Sequence, residues 1–349
     1  ARGSEDPKLA LARQALQELD QARKQRREID PIRMESRLKW ILEEPRLPEA
    51  IKRSALLEMA NLIQDTGQFI RANQIYAQFL RRYPDDPASP EILLRQGLVY
   101  RQMGAYNLAL NKFYAVMSSA LNLKMQQLEY YQRLVVHAQS EIADTYYLQG
   151  KHAEAAEFFG RLLKLNHPDL NKPYIMYKQI RSLAAQDKHD EVSALCKIFL
   201  ERYRDTAETP EIRFQLATSL RKLDRKEEAY QQVLELLQQQ EGAAAKNPEL
   251  WTYWQQRAGN EIANQLYQEG DIFNALTIYQ KLATLNQTPQ WQAPVLYQTA
   301  LVYEKLRQYP KAMDIYARII KQSQEVGTNT TPSLTAVFEL AQWRQNNLQ

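Results

Sequence analysis

The sequence predicts an all-α solenoid of stacked helical hairpins, and three observations carry that prediction. A column of small or apolar residues recurs seven times, at Ala60, Gly97, Ala143, Ile180, Ala217, Ala263 and Ala300. Its steps of 37, 46, 37, 37, 46 and 37 residues group on a longer period of 120. Such repetition marks arrays in which each unit buries its open face against the next. Three further columns keep register with the first. Twelve residues on lie Ala72, Ala109, Ala155, Val192, Ala229, Ala275 and Ala312. Four beyond these come Tyr76, Phe113, Phe159, Cys196, Val233, Tyr279 and Tyr316, and three beyond those Phe79, Val116, Leu162, Phe199, Leu236, Leu282 and Ile319. Steps of four and three put these residues on one helical face. Finally, a turn residue stands seven places after the first column, at Gly67, Gly104, Gly150, Asp187, Asp224, Gly270 and, irregularly, Arg307. Glycine there supports a left-handed helix exit, and Asp tolerates one.

Composition agrees. Only 10 of 349 residues are glycine, and Gln, Leu, Ala, Arg and Glu abound, as helices require. A chain of this length usually makes two domains, but a solenoid with nearest-neighbour contacts is one continuous stack. The 45 basic and 41 acidic residues leave +4, too little to imply a nucleic-acid partner. The single cysteine, Cys196, excludes an internal disulfide; its place in the bulky column reads as a buried apolar role rather than a reactive thiol. No stretch approaches 18 uninterrupted apolar residues, so no transmembrane segment is expected. The opening Ala1 fits a mature chain after signal removal or a trimmed one.

Taken in order, residues 1–7 read as flexible. A helix over about Lys8 to Glu28 carries Leu9, Ala12, Leu16 and Leu19 on one face. Asp30-Pro31 then supplies a cap and a first-turn proline for a helix over about 32–43, with Met34, Leu38, Ile41 and Leu42 apolar. Shifting the period backwards lays Leu42 under Leu162 and Pro48 under Pro168, so 1–52 reads as an N-terminal cap containing a degenerate repeat. Seven repeats fill 53–326, starting near 53, 90, 136, 173, 210, 256 and 293. The two 46-residue steps each hold nine extra residues. One gives an unbroken run over about 123–149, the other a run over about 248–269 opened by the cap Asn247-Pro248. Nine helical residues add about 13 Å, so these helices are expected to project at one edge. Their extra turns carry Tyr130, Tyr131, Trp251, Tyr253 and Trp254, which either pack on the lengthened linkers or form a docking edge. After a polar break at 327–331, a capping helix over about Pro332 to Gln345 presents Leu334, Val337, Phe338, Leu340 and Ala341, and Trp343 near its end reads as cap packing in preference to an exposed contact.

The module is clearest at Ala60-Asn61-Leu62-Ile63, Gly67, Phe69, Ala72, Tyr76, Phe79 and Pro84. In these columns the chain resembles the tetratricopeptide repeat family over about 53–326. It departs from the family in lacking the tryptophan near the start of the first helix and in keeping the module-end proline clearly only at Pro84. Its steps of 37 or 46 also exceed the family's usual 34. The resemblance implies a right-handed superhelix whose first helices line a concave groove for a protein or peptide partner. Register then places Asn61, Gln64, Asp65, Leu98, Arg101, Asp144, Tyr147, Tyr177 and Arg181 along that groove, followed by Thr218, Arg221, Lys222, Asn264, Tyr267, Tyr297, Leu301 and Glu304. Tyrosines interleaved with Arg181, Arg221 and Lys222 suit a segment with acidic and apolar groups. The Lys/Asn carboxylate clamp of some family members is not reproduced by Asn260 and Asn264 alone. Identities such as Phe79-Leu80-Arg81-Arg82-Tyr83 over Phe199-Leu200-Glu201-Arg202-Tyr203 read as an old duplication of three repeats.

The histidines His137, His152, His167 and His189 show no metal-ligand spacing, and neither a phosphate loop nor a serine elbow is present. No enzyme activity, metal or cofactor is expected. The leading expectation is a protein-binding scaffold; the alternative is a structural subunit docking through the two long helices. The linker Tyr83-Pro84-Asp85-Asp86-Pro87 is similar to those of bacterial envelope repeat proteins, which implies a periplasmic or envelope location, with the cytoplasm as the alternative. Oligomeric state and partner identity stay open.

Overall fold

The computed structural model describes residues 6–119, 128–238, 246–327 and 330–348, and its regular structure there consists of seventeen helices. The readings made for 1–5, 123–127 and 328–329 lie outside the described residues. The chain divides into two compact units, Ala1–Leu170 and Asn171–Gln349. The first holds α1 (Pro7–Gln25), α2 (Pro31–Glu43), α3 (Glu49–Asp65), α4 (Phe69–Arg82), α5 (Ser89–Gln102), α6 (Tyr106–Ser119), α7 (Leu128–Leu148) and α8 (His152–Lys164). The second holds α9 (Lys172–Ala184), α10 (His189–Arg202), α11 (Thr209–Lys222), α12 (Lys226–Leu237), α13 (Pro248–Glu269), α14 (Ile272–Leu285), α15 (Pro289–Lys305), α16 (Tyr309–Val326) and α17 (Pro332–Asn347).

All four columns are buried in all seven hairpins α3–α4 to α15–α16. The small first column is a steric requirement. At Gly97 even a Cβ would overlap the Phe113 ring, so the two helices touch where a side chain is missing. All seven turn residues are left-handed, including Asp187, Asp224 and Arg307 at φ 55, 58 and 57°. At Arg307 the turn is closed by its own N–H on the Glu304 carbonyl (2.8 Å) and the Gln308 N–H on that of Tyr303 (2.9 Å). Register therefore overrides residue type, at a cost of about 1–2 kcal/mol for the arginine.

The N-terminal hairpin follows the same plan with a longer turn. α1 ends at Gln25 rather than Glu28, and Arg26 takes the left-handed exit. Asp30 accepts from the backbone N–H groups of Ile32 and Arg33, with Pro31 in the first turn. Met34, Leu38 and Ile41 are buried at the column steps of four and three, while Leu42 is only half-buried. The alignment through Leu42 is therefore one residue out. At the other end, Leu334, Phe338 and Ala341 form the single buried stripe of α17. Leu340 and Trp343, on its opposite face, are 47% and 58% exposed, which corrects the reading of Trp343 as packing.

α7 and α13, at 21 and 22 residues, do not stand free at their extra turns. Trp251 and Trp254 are buried with Phe214, Leu236 and Ala258. Tyr131 is buried too, its hydroxyl donating to the Pro87 carbonyl at 3.3 Å. These three proposed docking residues are core. Burying rings of 150–250 Å² outweighs displaying them, about 25 cal/mol per Å² being gained. Of the aromatic candidates, Tyr130 and Tyr253 stay exposed, and Tyr130 donates to Glu91 at 2.5 Å.

Candidate functional site

The first helix of each hairpin, the one carrying the first column, presents the face on which the groove residues were expected. In the first unit, neighbouring first helices are tied by paired charges. Arg23 of α1 meets Glu58 of α3 at 2.5 Å, and Arg101 of α5 meets Glu141 of α7. Asn61 is buried. Its Oδ1 faces the Tyr76 hydroxyl at 3.0 Å and also accepts from Arg95, which reaches Glu91 at 2.6 Å. Gln64 Oε1 lies 2.7 Å from the same hydroxyl, and burial pushes the Tyr76 phenol up. Asn61 is thus a joint between hairpins rather than an exposed contact. Tyr147 is half-buried, edge-on to His152 and Phe159, and Asp144 and Leu98 are also half-buried; Asp65 is exposed.

In the second unit three carboxylates are each met by two donors. Glu211 accepts from the Tyr177 hydroxyl at 2.8 Å and lies 3.7 Å from Arg181. Arg181 also donates to the Tyr177 oxygen at 3.0 Å with its guanidinium over the ring. Burial, then the bond to Glu211, pushes the Tyr177 phenol up to about 12. Glu269 pairs with Arg221 at 2.5 Å and Lys226 at 3.3 Å. Glu304 takes the Tyr316 hydroxyl at 2.5 Å and Arg344 at 2.9 Å. Asn264 is exposed and accepts from the Tyr279 hydroxyl. Lys305 lies 4.4 Å over the Tyr267 ring, and Tyr297 packs tilted on Tyr316. Thr218 and Leu301 are half-buried, whereas Lys222 is exposed and in no ion pair among the described residues.

The face therefore combines half-buried tyrosines and amides with arginines already committed to acids on the next helix. The acids Glu58, Glu91, Glu141, Glu211 and Glu269 escaped the sequence reading. A signal existed for two of them: glutamate stands two residues before the first column at 58 and 141. Cys196 is fully buried, and burial pushes its thiol up. Among the described residues no group of three or more His, Cys, Asp or Glu could hold a metal ion, and no helix is long and apolar enough to cross a membrane.

The tetratricopeptide repeat family model matches residues 137–169 and 295–324, which cover much of the hairpins α7–α8 and α15–α16. No curated protein sequence matches the chain. Among solved structures, the apo form of RapI aligns with TM-score 0.55 at 12% identity, covering 93% of this chain and 89% of RapI. The C-terminal part of a TPR repeat-containing protein from Cytophaga hutchinsonii aligns at 0.49 and 13%, covering 80% and 97%. A tetratricopeptide repeat protein from Parabacteroides merdae aligns at 0.45 and 14%, covering 83% and 98%. Two hairpins thus match the tetratricopeptide repeat family model, and the described residues form an all-helical array similar in fold to RapI.

Proposed function

We propose that this protein is a non-enzymatic scaffold that holds a segment of another protein against its first-helix face. In this reading residues 53–326 are the working array, and 1–52 and 327–349 are its caps. The observation that carries it is a set of half-buried tyrosines, Tyr147, Tyr177, Tyr267 and Tyr297, at positions no column requires. They repeat 120 residues apart as 147 with 267 and 177 with 297. Amphipathic rings half out of water are the side chains interfaces favour. Arg101, Arg181 and Arg221 are occupied by neighbouring acids, whereas Lys222 and Lys305 are in no ion pair among the described residues, which favours a partner with acidic and apolar groups. The alternative of docking through the long helices keeps only Tyr130 and Tyr253 of its aromatics, Tyr131, Trp251 and Trp254 being in the core.

A photo-cross-linker at Asn264 is expected to trap a partner that the same group at Lys321, exposed on α16, does not. Equal trapping at both sites rejects the reading. The linker Tyr83 to Pro87 further supports a place in the bacterial cell envelope. Fractionation of the native host tests this, and recovery wholly with cytoplasmic markers counts against it.

A further inference from the structure

A cleft of about 530 Å³ lies in the second unit between the second helices α14 and α16, floored by α15. It stands apart from the first-helix face and does not rest on the scaffold reading. Its volume falls in the range of small-molecule sites, but its wall is polar. Lys311, Asp314 and Arg318 of α16 line it at steps of three and four, hence on one helical face. Asp314 and Arg318 are in no ion pair among the described residues. Across the cleft, Gln280 Nε2 donates to the Tyr303 hydroxyl oxygen at 3.0 Å. That bond leaves the Tyr303 proton and Gln280 Oε1 as an adjacent donor and acceptor. Gln287 adds an exposed carboxamide.

The internal repeat acts as a control. The residues 120 places earlier are Gly160, His167, Leu183, Glu191, Ala194 and Ile198 in place of Gln280, Gln287, Tyr303, Lys311, Asp314 and Arg318. The repeat plan therefore does not require the polar set, and at Lys311 the charge is reversed. We propose that this cleft binds a small hydroxyl-rich anion, a sugar bearing a carboxylate or a phosphate. Arg318 and Lys311 meet the anionic group, the guanidinium being suited to either oxyanion in a two-point contact. Asp314, Gln280, Gln287 and the Tyr303 hydroxyl serve the ring hydroxyls.

Calorimetric titration of the full chain with D-glucuronate, D-glucose 6-phosphate and neutral D-glucose tests the assignment. At least one anion is expected to bind at millimolar or lower concentration, at least tenfold more tightly than glucose, and the better of the two identifies the anionic group. Lys311→Gln/Arg318→Gln is expected to weaken that binding at least tenfold while its own melting temperature stays that of the parent. Tyr303→Phe, a milder change, is expected to weaken it about threefold. Absence of binding by both anions, parity with glucose, or undiminished binding by the double variant overturns the proposal.

Discussion

α7 and α13, at 21 and 22 residues, occupy the same place in the 120-residue period, each in a step nine residues longer than the plain 37, yet they fasten their added turns differently. In α7 the fastening is by hydroxyls: Tyr130 to Glu91 and Tyr131 to the Pro87 carbonyl. In α13 it is by buried indoles, with Gln255 Nε2 donating to the Leu236 carbonyl at 3.0 Å. Where α7 has Gln139, α13 has Gly259, and Leu282 packs directly against it. The period fixes how long these helices are. Whether the added turns are polar or apolar joints depends on single side chains.

The largest effect expected is at α13. Trp251→Ala removes a fully buried ring, and chemical denaturation should register a loss of about 3–5 kcal/mol. A loss below about 1 kcal/mol would place that indole outside the core. Next comes Gly259→Ala, whose Cβ would lie 2.7 Å from Leu282 Cδ2. Overpacking of this kind costs about 1–3 kcal/mol, whereas Gln139→Ala at the matching place in α7 should leave the melting temperature nearly unchanged. Smaller again, Tyr130→Phe breaks one part-exposed hydrogen bond, and about 1 kcal/mol or less is expected to be lost in the same assay.

The difference should also show in alkali. Burial and Glu91 push the Tyr130 phenol above its ordinary 10.0, so the folded form resists ionisation. Its contribution is complete below pH 10 and fades as pH rises from there through the folded value. Stability of the parent should fall over that window, and Tyr130→Phe should fall less steeply. Identical pH profiles would mean the hydroxyl has no part in holding α7.

The columns were legible in the sequence because burial imposes a residue type, and imposes it seven times. Even Arg307, wrong by type, was placed correctly by register. A single apolar neighbour pair was harder: Ile41 and Leu42 are equally apolar, and which one faces the core depends on the longer turn after Arg26. The first-helix positions were legible as sharing a face by register, but their chemistry was not. Arg181, Arg221 and Arg101 are bound by acids 30, 48 and 40 residues away, and those partners follow no single spacing. The aromatic clusters left two readings open for a related reason, since a tryptophan in an added turn reads alike whether it is shown to solvent or folded inward.

Thiol reactivity tests the division between column and face most directly. Cys196, the lone cysteine, fills a column position with no exposed surface, and Asn264→Cys would place a second thiol on the exposed first-helix face. In the native variant an aromatic disulfide reagent should modify one thiol promptly and the other only on unfolding. Prompt reaction of both, or of Cys196 in the parent, would contradict the packing on which the whole account is built.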